Sequence, residues 1–368
     1  MARQRKHRSA ITKLQASMLI VLVVGGMALG IYGYSISGAP SKARLIVSTT
    51  TSLYETGFLD ELKSKLESMY PAMNVSFISQ GTGLAIQTAM RGDADMILTH
   101  DPAREYQFMK GGYGVNRKIV AYNFFVIVGP PEDPAGIRGM SSVDALKQIR
   151  SAGLEGKLVW ISRGDDSGTH SKEKSLWKVG GFDSTQLRKE AWYLEAGSGM
   201  TATLKLANEK SGYTLTDIGT YLLNFNNYNI ELVKLVESGK NLLNVYSVIA
   251  GNPKNPNMTR ANFEGSMQLI RYIVSDEGQG LFANFGVSKY GEPLFKPYIN
   301  LVKSQSDPEL IGWIHDSAFF DGSECPQEFR YQADDLYPTQ GPASILLTCL
   351  LTGIEERKTP TWIQSLKE

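Results

Sequence analysis

"RLIVSTTTSLYETGFLDELKSKLESMYPAMNVSFISQGTGLAIQTAMRGDADMIL", residues 44–98, decides the fold class. Its apolar start, Arg44 to Val47, reads as a strand. Phe58, Leu59, Leu62, Leu66 and Met69 then recur at spacings near 3.6 residues, the mark of one buried helix face. A second strand is expected over residues 75–78, a second helix over 84–90 ending at Gly92, and a third strand over 96–98. That alternation predicts an α/β fold with mostly parallel pairing.

Downstream, "VAYNFFVIVGPP" (residues 120–131) and "NVYSVIAGNP" (residues 244–253) are two extended apolar runs, each with an aromatic and each closed by glycine and proline. Between them lies a further α/β set, with strands over 158–161 and near 191–194, a helix after Thr169, and helices over 201–208 and 217–223. A chain that crosses from one lobe to another and returns needs two such connectors. They are read as a paired hinge, with residues 44–121 plus 250–298 as lobe 1 and residues 122–249 as the hinge strands and lobe 2. Two ordinary buried strands would give the same periodicity. From 299 to 368 the chain is a C-terminal extension, loop-rich over 304–308, 319–326 and 337–342. Its apolar run at 343–354 is twelve residues long, too short for a bilayer, and is expected to be a docked helix.

The chain has 368 residues, enough for two domains, and one exceptional end. Arg3, Arg5, Lys6, Arg8 and Lys13 precede an uncharged stretch whose residues 18–34 are almost wholly apolar. A basic flank before such a run predicts that residues 1–43 form a transmembrane anchor or a signal peptide, with everything after it exported. The anchor is the favoured of the two, although seventeen residues lie at the short limit of a span. Five of the 38 basic residues precede the apolar run, so 33 face 37 acidic ones in the rest of the chain. A near −4 balance does not suit nucleic acid, and an anionic ligand would need a local site rather than a broad field. Outside the membrane, Cys325 and Cys349 are free to form a disulfide, closing a loop worth about 3 kcal/mol by chain entropy.

Four segments place small hydroxyl residues and glycines just before an expected helix: "STTTS" (48–52), "GTG" (81–83), "SRGDDSGTH" (162–170) and "GSGMT" (197–201). In open α/β sheets such strand-to-helix turns lie beyond the carboxyl ends of the strands, where ligands bind. A helix start offers unpaired N–H donors and the positive end of its dipole, and hydroxyls add uncharged donors. Plain N-capping would explain any one of these turns. Four together, one beside Arg163, point to an anion held between them. Asp165 and Asp166 would repel an anion, so they are expected to hold Arg163 or cap the following helix.

A hydrolase using Ser167 and His170 is the less favoured alternative. Their spacing sets them on adjacent helix turns, and "GDDSG" is not a G-x-S-x-G elbow. His100, His170 and His315 do not pair at ligand spacing, so no metal site is expected. His100 is expected to hydrogen-bond at a strand end.

With "STTTS", "GTG", "RGDADMILTHDPA" and "SRGDDSGTH" in this order, the sequence resembles the TupA-type tungstate-binding proteins of ABC importers over about residues 45–298. The resemblance implies a two-lobed periplasmic-binding-protein fold of class II type, extracytoplasmic and monomeric, with no enzymatic activity and no cofactor. It would close over tungstate or molybdate and hand the oxyanion to an ABC permease driven by an ATPase. The implied binding positions are Thr49, Thr50, Thr51 and Ser52; Thr82 and Gly83; Arg163; Ser167, Gly168 and Thr169; and Ser198, Gly199 and Thr201. A lipid-attachment cysteine is missing, and the extension after Tyr298 has no counterpart. Tungstate and molybdate are fully deprotonated at neutral pH, whereas phosphate keeps a proton that wants a carboxylate acceptor. Hydroxyls, amides and one arginine favour the former. The alternative, a phosphate-binding protein, would turn Asp165 or Asp166 toward the ligand.

Overall fold

The computed structural model describes residues 43–337. The leader, the apolar run at 343–354 and Cys349 lie outside the described residues, and with them the expected anchor or signal peptide, the docked helix and one half of the disulfide. In chain order the principal elements are β1 (Ala43–Thr50), α1 (Thr51–Glu55), α2 (Phe58–Met69), β2 (Met73–Gln80), α3 (Thr82–Met90), β3 (Met96–Thr99), α4 (Pro102–Lys110) and β4 (Gly114–Gly129). There follow α5 (Ser142–Leu154), β5 (Trp160–Ser162), α6 (Gly168–Val179), β6 (Tyr193–Glu195), α7 (Met200–Glu209), β7 (Thr214–Asp217), α8 (Ile218–Asn226), β8 (Val233–Val236) and β9 (Leu243–Gly251). The chain continues through α9 (Phe263–Val274), α10 (Asp276–Asn284), β10 (Lys296–Pro297), α11 (Tyr298–Ser304) and α12 (Pro308–Ala318). No helix among the described residues is long and apolar enough to cross a membrane.

β1 runs parallel to β2 on one side and β3 on the other, as the opening stretch predicts. Beyond β3 the sheet turns antiparallel, in the order β10-β4-β9-β3-β1-β2 with β7 and β8 also on β4, so the expected mostly parallel sheet is in fact mixed. The two extended runs cause the mixing. They traverse the molecule in opposite directions and pair with each other, Tyr122 opposite Val245 and Phe124 opposite Leu243. β4, 16 residues long, meets β9 along its first part and β7 with β8 at its end. A separate parallel pair, β5 with β6, carries the Arg163 turn at its tip.

Burial follows the helical spacing. Phe58, Leu59, Leu62 and Leu66 of α2 are at most 1% exposed. Met69 is 44% exposed, because it is the last helical residue and lies past the sheet the stripe packs on. Phe58 stacks on Phe282 at 4.6 Å and meets Phe295 at 5.2 Å, which ties α2 to α10. Truncating such a ring costs about 3–5 kcal/mol. Gly92 stops α3 in the left-handed region (φ +81°), and a β-carbon there would stand 2.2 Å from the Asn257 carbonyl, so only glycine fits.

The extension is folded where it is described. Asp307 caps α12 by accepting from the Leu310 amide at 2.9 Å. Residues 320–337 then bind the first residues of β4. Arg117 and Glu105 form a fully buried ion pair at 2.9 Å, and Arg117 Nη1 also donates to the Ala318 and Glu324 carbonyls at 2.9 and 2.8 Å. Lys118 pairs with Glu324, and the Tyr337 hydroxyl donates to the Arg117 carbonyl at 2.7 Å. Cys325 is a buried free thiol in contact with the Phe329 carbonyl at 3.6 Å.

Candidate functional site

Each of the four hydroxyl-rich turns stands at a helix start, which separates capping from other uses. Thr50, Gly81 and Gly199 occupy the N-cap positions of α1, α3 and α7, none with a side-chain cap bond. Ser167 does cap α6, accepting from the His170 amide at 3.2 Å. Among the described residues, the hydroxyls of Thr50, Ser52, Thr82 and Thr169 are buried, no more than 2% exposed, and without a hydrogen-bond partner. A buried hydroxyl left unpaired costs about 1–3 kcal/mol, so these four, at three neighbouring helix starts, are placed to bond a group that enters between them.

The turns converge from both parts of the chain. Arg163 is 2% exposed and fixed at two points: Nε donates to Asp165 Oδ2 at 2.9 Å, and Nη2 to Thr51 Oγ1 at 2.6 Å. Asp165 also accepts from the Ser167 amide at 3.2 Å, so one carboxylate orients the guanidinium and the start of α6 together. Asp166, with φ 58°, turns outward to Arg104, whose Nη1 donates to the Asp166 carbonyl at 2.8 Å while Nη2 pairs with the carboxylate. Gly83 lies under this pair; a β-carbon there would stand 2.6 Å from Asp166 Oδ2. Gly168 is equally confined, since its β-carbon would stand 2.9 Å from Thr82 Oγ1.

Two expected side chains are committed elsewhere. Thr49 donates to the Leu98 carbonyl inside the sheet at 2.9 Å. Thr201 donates to Glu55 Oε2 at 2.7 Å and accepts from Asn224 at 3.2 Å, so its hydroxyl ties α7 to α1. Ser198 and Gly199 are half-buried at the same turn. Residues not singled out from the sequence complete the surroundings: Glu55, Arg104, Lys172, Glu173, Asp217 and Asn224. Glu55 lies in the opening stretch and Arg104 directly follows RGDADMILTHDPA; the others are brought in by tertiary folding.

Glu173 explains how the Arg163 turn is held. This fully buried carboxylate accepts from Trp160 and Ser162 at 2.8 Å, Tyr193 at 2.6 Å and Trp177 at 3.3 Å, which joins β5, β6 and α6. Burial pushes its carboxyl up, and the four donors oppose that. Behind the site lies a second polar group. His100 Nδ1 meets Asn244 Oδ1 at 2.9 Å, the strand-end hydrogen bond expected of it. Burial pushes its imidazole down, against the attraction of Asp217 and Asp101. Lys172, pushed down to about 8 by burial, donates to the Leu243 carbonyl at 3.0 Å.

A family model described as a PBP superfamily domain matches residues 37–277. The tungstate-binding protein TupA of Peptoclostridium acidaminophilum is 37% identical over 290 residues, 76% of this chain and 96% of that protein. TupA of Campylobacter jejuni is 38% identical over 243 residues, 65% of this chain and 86% of that protein. The solved structure of TupA from Desulfovibrio alaskensis G20 superposes with a TM-score of 0.59 at 38% identity, covering 70% of this chain and 99% of that one. The chain belongs to the TupA family of periplasmic binding proteins.

TupA proteins are solute-binding components of ABC transporters, not enzymes, and such components work with a permease and an ATPase. The hydrolase alternative also fails on geometry. Ser167 Oγ is used as a cap, and His170 Nδ1 accepts from the Asp166 amide at 3.2 Å, so neither faces the other as nucleophile and base. No cluster of metal-ligating side chains occurs among the described residues.

Proposed function

We propose that this chain is the extracytoplasmic substrate-binding component of an ABC importer, which grips tungstate or molybdate between the turns of Thr50, Thr82, Thr169 and Ser198 with Arg163 as the single cation. Residues 44–121 with 250–298 serve as one lobe and residues 122–249 as the other, hinged at β4 and β9. The leader holds the protein at the membrane, the extension from 299 braces lobe 1, and the protein acts as a monomer. The observation that carries this reading is the set of four buried, unpartnered hydroxyls around an arginine whose orientation is already fixed.

The donor set suits a fully deprotonated dianion. Asp165 is engaged by Arg163 and Asp166 by Arg104, so neither carboxylate of the SRGDDSGTH turn is presented to the proton of phosphate. Nanomolar affinity, near −12 kcal/mol, needs on the order of seven donors at about 1.5–3 kcal/mol each once association costs are met. Four hydroxyls, the guanidinium and the free amides of the helix starts reach that number.

Calorimetry of the full-length protein with tungstate, molybdate and phosphate tests the proposal. Tight binding of the first two with no competition from millimolar phosphate is the expected result. Phosphate binding as tightly as tungstate would replace the reading with that of a phosphate receptor.

A further inference from the structure

His100 has a ring edge that none of its hydrogen bonds uses, turned to the start of α6 beside the unpartnered hydroxyl of Thr82. Asn244 fixes its tautomer. The Asn244 amide nitrogen donates to Asn123 Oδ1 and to the Tyr246 hydroxyl, both at 2.9 Å, so its oxygen is what meets His100, and Nδ1 carries the hydrogen. The opposite edge of the ring is turned to the start of α6. A β-carbon on Gly168 would stand 2.8 Å from His100 Cε1, 3.1 Å from Nε2 and 2.9 Å from Thr82 Oγ1. The imidazole edge and an unpartnered hydroxyl of the site therefore look at the same point.

In the neutral ring with its hydrogen on Nδ1, Nε2 presents a lone pair. A dianion offers only acceptors, so that lone pair would oppose it until a proton is added. We propose that His100 is a further oxyanion-binding residue, neutral in the free protein and protonated at Nε2 when tungstate arrives, so that each anion bound draws one proton from solvent. The inference rests on the site reading above.

The groups facing His100 are consistent with a ring that changes charge. Asp217 lies at the β7–α8 junction, and Asp101 and Glu105 belong to the start of α4; all three attract a proton to the ring. Asn244 and the Tyr246 ring, at 5.1 Å, come from β9, and the Phe125 ring of β4 lies at 6.1 Å. Two cations lie on the same side of the fold: Lys172 of α6, over Phe125 and within reach of Asp101, and Arg104, which pairs with Asp101 at 3.5 Å. Burial keeps the free ring neutral, and an adjacent dianion supplies the missing charge.

The linkage has a definite sign. Binding is strongest below the free ring's pKa, and affinity falls up to tenfold per pH unit between the free and bound values. Calorimetric titration of full-length protein with sodium tungstate, in buffers of different ionisation enthalpy from pH 6 to 8.5, counts the protons. Uptake approaching one per anion is expected, and His100→Gln, which offers a permanent amide donor, should bind tungstate with no uptake and a flat pH profile. Tungstate binding without proton uptake in the wild type overturns the inference alone. Uptake that survives in His100→Gln moves the proton to Lys172 and overturns it as well. No tungstate binding by the wild type at any pH overturns the site reading itself. Should His100→Gln not fold, the nitrogen-15 shift of Nε2 in the wild type, with and without tungstate, decides the matter: an unchanged neutral shift rejects the proposal.

Discussion

Arg163 and Thr51, 112 residues apart in the chain, are joined by a 2.6 Å hydrogen bond from Nη2 to Oγ1. The bond links the tip of the β5–β6 pair to the first turn of α1. One side chain thus supplies the site's positive charge and a contact across it, with Asp165 fixing its angle.

Arg163→Ala should therefore weaken tungstate binding by about 3–6 kcal/mol, the worth of two charge-assisted hydrogen bonds. Circular dichroism should show a folded protein. An affinity within threefold of the wild type by calorimetry would remove Arg163 from the site.

The Arg104–Asp166 pair closes over Gly83 at the edge of the same site, and both partners are solvent-accessible, Asp166 at 63%. Exposed pairs contribute about 0–1 kcal/mol and are screened by salt. Asp166→Asn should raise the tungstate dissociation rate two- to fivefold at low ionic strength, and the difference from wild type should vanish in 0.5 M salt. Stopped-flow displacement measures it; an equal rate at low salt contradicts a clasping role.

Lys172 is half-buried, and desolvation pushes its amine down to about 8, below the ordinary 10.5. Its sign is opposite to that of a raised group: stability is fully present above 10.5 and is lost as pH falls through 8. Wild-type stability against urea should gain on the order of 3 kcal/mol, relative to Lys172→Met, as pH rises from 7 to 10. Parallel profiles for the two proteins would show that burial does not tune this amine.

Glu105 and Arg117 are each fully buried, and the segment around Glu324 and Tyr337 closes over Arg117. Glu105→Leu would leave the guanidinium without its carboxylate, at a cost of about 3–5 kcal/mol. A urea midpoint unchanged from wild type would mean that the carbonyls of Ala318 and Glu324 suffice.

Much of the architecture is legible in the sequence because helix and strand leave different periods. Phe58, Leu59, Leu62 and Leu66 announce a buried face and deliver one, and the two aromatic runs do lie side by side. α12 falls within the stretch the sequence punctuates as loop, although Asp307 followed by Pro308 is a cap-and-first-turn signal and Leu310, Ile311 and Ile314 are spaced for burial. The surrounding loop punctuation obscured it. In the site, the hydroxyl turns and Arg163 were readable from composition at helix starts. The commitments of Thr49 to Leu98 and of Thr201 to Glu55 were not, because each partner lies on another element. The same holds for Glu173, whose donors Trp160, Ser162 and Tyr193 lie on β5 and β6 and are gathered only by the folded chain.

The side-by-side pairing of β4 and β9 limits how such a molecule can move. Two ladder-bonded ribbons flex more readily out of their common plane than along it, since shear would break the ladder that sets Tyr122 opposite Val245 and Phe124 opposite Leu243. That leaves a single soft direction. The hinge proposed at β4 and β9 would use that direction, opening and resealing the crevice with every regular element intact.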